Sequence, residues 1–184
     1  MQIVLSNNFK GKCLIAMPNI QDEVFAASVV YITEHNSING AVGVIINKNL
    51  SLKKNHCANL DFAQYNRHWR NIPLYFGGPV ELGSGFVLHP NPLDGKWSLT
   101  GNKAKIQELA EVDKERPLML TTGYCMWETL QLEREVRFNN WLVIDNAAEF
   151  LLADTSPEER YQVALRLAGI QSIANFDFNG VGNA

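Results

Sequence analysis

Ser28-Val29-Val30-Tyr31-Ile32-Thr33 and, after a turn-rich stretch from His35 to Gly40, Ala41-Val42-Gly43-Val44-Ile45-Ile46-Asn47 are the two runs that decide the fold. Both are rich in β-branched or aromatic residues, which suit the pleated surface of a strand. Their separation by polar turn residues predicts an antiparallel hairpin with a longish loop. The second run is apolar at odd and even positions alike, so it belongs in the centre of a sheet.

Further strands follow at irregular intervals. Leu74-Tyr75-Phe76 ends at Gly77-Gly78-Pro79. Gly85-Phe86-Val87-Leu88-His89 is closed by Pro90. Trp97-Ser98-Leu99-Thr100 alternates like a half-buried edge strand, and Leu118-Met119-Leu120-Thr121-Thr122 ends at Gly123. The segment from Leu50 to Asn71 is polar and irregular, holding a short helix or a loop. Ile106, Leu109 and Ala110 recur at helical spacing within Lys103 to Val112. At the C-terminal end, Ser156, Pro157 and Glu159 make a capping box for a helix whose apolar face is Tyr161, Ala164, Leu165 and Ala168, ending at Gly169. Interleaved strands and helices with an early hairpin indicate an α+β fold with a mixed sheet, in a single domain over 1–184.

The chain has 184 residues and a formal net charge of −3. Phosphate neutralisation supplies much of the affinity of nucleic-acid binders, so this acidic balance, with only two short basic stretches, argues against direct DNA binding. Cys13, Cys57 and Cys125 have no C-x-x-C spacing, and the four histidines have no metal-ligand spacing. No cofactor or metal is expected. The opening residues lack a signal-peptide pattern and no apolar run is long enough to span a bilayer. A reduced, cytoplasmic setting away from membranes follows.

Several residues bear on chemistry. Gly77-Gly78-Pro79 could form an anion-holding backbone nest, but Pro79 donates no N–H and no phosphate-loop Lys-Ser/Thr follows, so a tight turn is the simpler reading. His35 and His89 sit at strand ends, where hydrogen bonding is their default role. Ser84, in Leu82-Gly83-Ser84-Gly85-Phe86, is not in a nucleophile elbow. Cys125 lies between a strand end and a helix start, a position that can lower a thiol pKa. On a helix beginning early, however, it shares a face with Thr129, Leu132 and Val136, which favours an inert buried thiol. Trp127, Leu130 and Phe138 project on another face of that helix. Trp127 and Trp141 suit a core or a binding pocket, and Glu133–Arg137 reads as a solvated i,i+4 pair.

Four separated segments, in order, resemble the YqgE/AlgH family of bacterial proteins. They are Leu14-Ile15-Ala16-Met17-Pro18 with Asp22, Phe25 and Ser28 to Tyr31; Glu34-His35 with Gly40 to Asn47; Gly77-Gly78-Pro79-Val80 with Gly85 to His89; and Gly123-Tyr124, Trp127, Gln131-Leu132-Glu133 and Asn140-Trp141-Leu142. The resemblance implies a largely antiparallel, bifurcated or partly barrel-like sheet surrounded by helices, and no agreed enzyme activity. Family members are often labelled transcriptional regulators. The family usually has glycines where Met126 and Leu130 stand here. That departure predicts a helix extended toward its N-terminus, side chains filling space beside Trp127, and destabilisation when either residue is replaced by glycine.

Three functions compete. The first is a regulatory module binding a small molecule or a protein through a pocket or interface drawn from Gly77, Gly78, Pro79, His89, Tyr124, Cys125, Trp127 and Gln131. The second is a hydrolase using Cys125 or His89, and the third is a regulator acting on DNA directly or through a partner.

Overall fold

The computed structural model describes residues 8–36, 38–50, 62–112, 118–145 and 147–170. Its elements run β1 (Cys13–Ala16), β2 (Val29–Asn36), β3 (Gly40–Ile45), β4 (Leu74–Phe76), β5 (Val80–Pro90), β6 (Trp97–Thr100), α1 (Lys103–Val112), β7 (Met119–Trp127), α2 (Gln131–Arg137), β8 (Trp141–Ile144), α3 (Ala148–Ala153) and α4 (Arg160–Leu167). Two 3-10 turns, Phe62–Gln64 and Arg67–Asn71, precede β4. The strands form one eight-stranded α+β sheet in the order β6-β5-β7-β3-β2-β1-β8, with β4 off this path against β7. Every pairing is antiparallel except the parallel β4–β7 ladder.

The β2–β3 hairpin forms as its sequence predicts, and β3 is indeed internal, between β2 and β7. Beyond Gly43 the sheet forks. β3 and β7 part, and the Leu74–Gly77 backbone enters between them. Ile45 N donates to Gly77 O at 2.8 Å, Phe76 N to Lys48 O at 2.8 Å, and Gly77 N to Thr122 O at 2.8 Å. The sheet also curls without closing. The buried Trp97 of β6 comes back over β2, where its backbone N–H donates to the Tyr31 hydroxyl at 2.9 Å.

Both sides of this sheet are covered. Tyr31, Val44, Leu88 and Met119 pack with α3 and α4 on one side. Leu14, Ile45, Trp127 and Trp141 pack with Leu132 of α2 on the other. A third cluster seats Ile106 and Ala110 of α1, with Phe62 and Trp69, on Val87 and Leu120.

β7 extends four residues past the end that its sequence suggests. Gly123, at φ +68°, carries the strand through in a left-handed conformation that glycine adopts without penalty. A single residue of that kind shifts the alternation of a strand. Met119 therefore joins the α3–α4 side, while Cys125 and Trp127 join the α2 side. Cys125 and Trp127 are strand residues, not helix residues, because the backbone stays extended and paired with Ala41 to Gly43.

α2 begins only at Gln131, so the expected extension of this helix does not occur. Leu130 stands at its N-cap with φ 62°, the left-handed region that favours glycine, and its side chain is exposed. Met126 is also exposed, so neither side chain fills space beside Trp127. Leu130→Gly, expected from sequence to destabilise, is now expected to leave the melting midpoint unchanged or raise it, by up to about 1 kcal/mol of stability. A clear drop in the midpoint would mean that Leu130 makes a stabilising contact despite its exposure. Glu133 pairs with His35 at 3.0 Å and not with Arg137, because its side of α2 faces the end of β2.

At the C-terminal helix, Ser156 Oγ donates to the Glu159 carboxylate at 2.6 Å instead of capping a backbone N–H, and regular helix starts at Arg160. Its end follows the sequence reading. Gly169, at φ +81°, and Ile170 return N–H bonds to Arg166 O and Leu165 O, both at 2.9 Å, the pattern of a Schellman cap. Arg160, unremarked in the sequence, is buried. It donates to the carbonyls of Ile46, Leu152 and Thr155 and lies 5.5 Å over the Tyr75 ring, which ties α4 to α3 and to the fork.

Candidate functional site

β5 and β7 do not match residue for residue. Val80 is opposite Tyr124 and Gly85 opposite Thr122, so Glu81 to Ser84 are set against the single residue Gly123. The surplus backbone is pushed out of the ladder. Two contacts hold it: the Thr122 hydroxyl donates to Leu82 O, and the Tyr124 hydroxyl donates to Glu81 Oε1 at 3.3 Å. Glycines mark this break, as they often mark strand irregularities.

The displaced Gly83-Ser84-Gly85 segment forms one wall of a cleft of about 690 Å3. Gln64 and Tyr65 lie on another side, with Gly101 and the first turns of α1 completing it. Gly101 allows that approach, since a Cβ there would fall 2.7 Å from the Phe86 ring. Asn102 fixes the start of α1: its side-chain oxygen accepts the Lys105 N–H at 3.1 Å, and its carbonyl accepts the Ile106 N–H at 2.9 Å.

This helix has no acidic residue in its first turn. Lys103 and Ala104, its first two residues, line the cleft, so the positive end of the helix dipole and the Lys103 ammonium stand at one wall. Ser84, Gln64 and Gln107 add neutral hydrogen-bonding groups, while Phe62 and Ile106 supply apolar surface. Among the described residues lining the cleft there is no carboxylate, imidazole or thiol. The arrangement can hold a ligand.

Apart from Ser84, the residues singled out in the sequence fall elsewhere and do not converge on one site. Gly77, Gly78 and Cys125 meet at the fork. A Cβ on Gly77 would lie 2.0 Å from Thr121 Oγ1, and one on Gly78 would lie 2.3 Å from the Tyr124 backbone. Close crossing of two backbones, not a turn, is what requires these glycines. Pro79 is exposed beside them. The Cys125 thiol is fully buried, contacts Gly77 O at 3.4 Å, and has its pKa pushed well up by burial. Burial likewise raises the Cys13 thiol to about 12. Tyr124 lies on the outer face, edge-on to Phe86 with ring centroids 5.4 Å apart.

Trp127 and Gln131 come together around Glu135, which the sequence reading overlooked. Its Oε2 accepts the indole N–H of Trp127 at 2.9 Å and of Trp141 at 2.7 Å, and its Oε1 accepts Gln131 Nε2 at 2.9 Å. His89 is apart from all of these. It is near the opposite end of β7 from Trp127, paired with Ser98, with Nδ1 donating to Pro90 O at 3.0 Å and its pKa lowered by burial. His35 is likewise structural. Its Nδ1 accepts the Phe9 N–H at 3.2 Å, which places the proton of the neutral ring on Nε2, facing Glu133. Among the described residues, no group of three or more His, Cys, Asp or Glu could hold a metal ion, and no helix is long and apolar enough to cross a membrane.

The glycines at 83, 85 and 101 were the available signal for the cleft. Ser84 had been weighed only as a nucleophile, and the pairing of β5 with α1 across it is not written in local spacing.

A forked, curled α+β sheet of this kind matches a known architecture. An AlgH-like family model matches residues 13–173, and the chain belongs to that family. A UPF0301 protein of Dechloromonas aromatica is 35% identical over 177 residues, covering 90% of this chain and 91% of the relative. One from Bordetella petrii is 34% identical over 176 residues, covering 91% and 87%. The solution structure of the AlgH protein from Pseudomonas aeruginosa aligns over 100% of both chains with a TM-score of 0.69 and 30% identity. A crystal structure of a protein from Corynebacterium diphtheriae shares the fold, with a TM-score of 0.63 at 19% identity over 85% of each chain.

Proposed function

We propose that this protein is a cytosolic, non-catalytic regulatory module that binds a small anionic molecule in the cleft between the β5 break and the start of α1. The observation that carries this reading is the cleft's combination of size and charge. Its volume falls in the ~300–1,000 Å3 range of small-molecule sites, and Lys103, the one charged side chain among the described residues that line it, stands with the positive end of a helix. A thiol hydrolase finds less support, because Cys125 is buried with a raised pKa and His89, on β5 beside the start of β7, is too far from it to serve as its base.

The test is a ligand-observed NMR screen of small carboxylates and phosphates against the intact chain. Hits are expected to be lost in Lys103→Glu. They should also be lost in Gly83→Tyr, where a side chain enters open space, since nothing lies within 4 Å of a Cβ at Gly83. Hits that bind both variants as they bind the parent, or no hits at all, would overturn the reading.

A further inference from the structure

α2 and the β2–β3 turn present a surface that the fold leaves uncovered. Residues at i and i+3 share one face of a helix. Arg134 and Arg137 have this spacing, on the side opposite the buried Leu132, and the exposed cap residues Leu130 and Phe138 stand at the two ends of α2. Phe138 is 70% exposed and Leu130 56%. The hairpin turn adds Ile38, 82% exposed, which is held beside them because Thr129 Oγ1 donates to the Ile38 carbonyl at 2.7 Å. Leu130 keeps a bulky side chain at a left-handed backbone position, a second cost on top of its exposure to water. Clustered exposed apolar side chains of this kind mark contacts with other proteins.

The charges on this face select the partner. Arg134 and Arg137 are exposed, and among the described residues neither has an ion-pair partner. The two acids on the same helix are already engaged, Glu133 by His35 and Glu135 by the two indoles. The arginines thus form an uncompensated basic rim on a chain whose formal net charge is −3. We propose that this face docks an acidic amphipathic segment of a partner protein. Its apolar side chains cover Ile38, Leu130 and Phe138, and its carboxylates pair with the two guanidinium groups, whose planar fork suits them. The inference rests on α2 and the hairpin alone and is independent of the cleft.

A random peptide library selected against the intact chain tests it. Selected peptides should be rich in Asp and Glu together with Leu, Phe or Trp. Their affinity should fall roughly tenfold or more for Arg134→Gln/Arg137→Gln, and separately for Ile38→Ser/Phe138→Ser, with both variants melting like the parent. Peptides without acidic enrichment, peptides that bind both variants undiminished, or a selection that yields none would overturn the proposal. So would a concentration-dependent dimer in sedimentation that these variants abolish, since the occupant would then be a second copy. Binding to phosphatidylglycerol vesicles through the same arginines, with no peptide selected, would assign the face to a membrane instead.

Discussion

Glu135→Ala is expected to destabilise the protein by about 3–5 kcal/mol, because it strands two buried indole N–H groups at once. An indole nitrogen only donates, so neither Trp127 nor Trp141 can turn to another role. Both rings are buried and locked edge to face, with centroids 6.0 Å apart, and Phe25 closes the cluster 5.7 Å from Trp141. Rotation toward water is therefore blocked. Glu135→Gln keeps one acceptor oxygen and should lose much less, about 1–2 kcal/mol. Urea denaturation of the two variants reads both numbers. A loss below about 1 kcal/mol for the alanine variant would show that the indoles find other acceptors, and the cluster would then be a packing feature only.

Gly78→Ala should be at least as severe. The added Cβ would sit 2.3 Å from the carbonyl carbon and oxygen of Tyr124 and 2.6 Å from the Cys125 nitrogen, all backbone atoms that cannot rotate away. Relief requires moving β7, which also carries β3 and β5. A cost above about 4 kcal/mol, or failure to accumulate folded protein, is expected. Gly83→Ala is the internal control from the same region. It adds the same atom into open space and should change stability by no more than about 0.5 kcal/mol. Equal melting behaviour in the two variants would refute the close-crossing explanation of the Gly77-Gly78 pair.

Local signals carried much of the architecture. β-Branching located the β2–β3 hairpin, alternation located the edge strand β6, and helical spacing gave the residues of α1. Gly169 ended the last helix for the reason its position suggested. What stayed hidden is long-range or depends on a single backbone angle. Gly123 looks like a strand terminator in sequence, and the Gly78 backbone pressed against it from the β4–β5 connection is a long-range contact that nothing local announces. Leu130 reads as a helix residue by composition, yet its left-handed backbone sets the helix boundary after it. Glu135 is one acid among several on a polar helix, and nothing local says that two tryptophans on different strands converge on it. The cleft required knowing that β5 carries surplus residues opposite Gly123, which is a property of pairing.

The fork in the sheet also constrains the order in which the chain can assemble. β4 lies parallel to β7, between it and the continuation of β3, so its slot has only one wall until β7 arrives. β7 comes late in the chain, well after β4 has been made, and its pairing with β3 joins the first third to the last third. Ring closure of that size is entropically costly and slow. β4 can bond at once to Ile45, Lys48 and Leu50, which precede it in the chain, but its other edge waits for β7, which closes over it like a second jaw. The same geometry makes this closure the step most exposed to interruption, because until it occurs the facing edges of β4 and β7 are open to other strands.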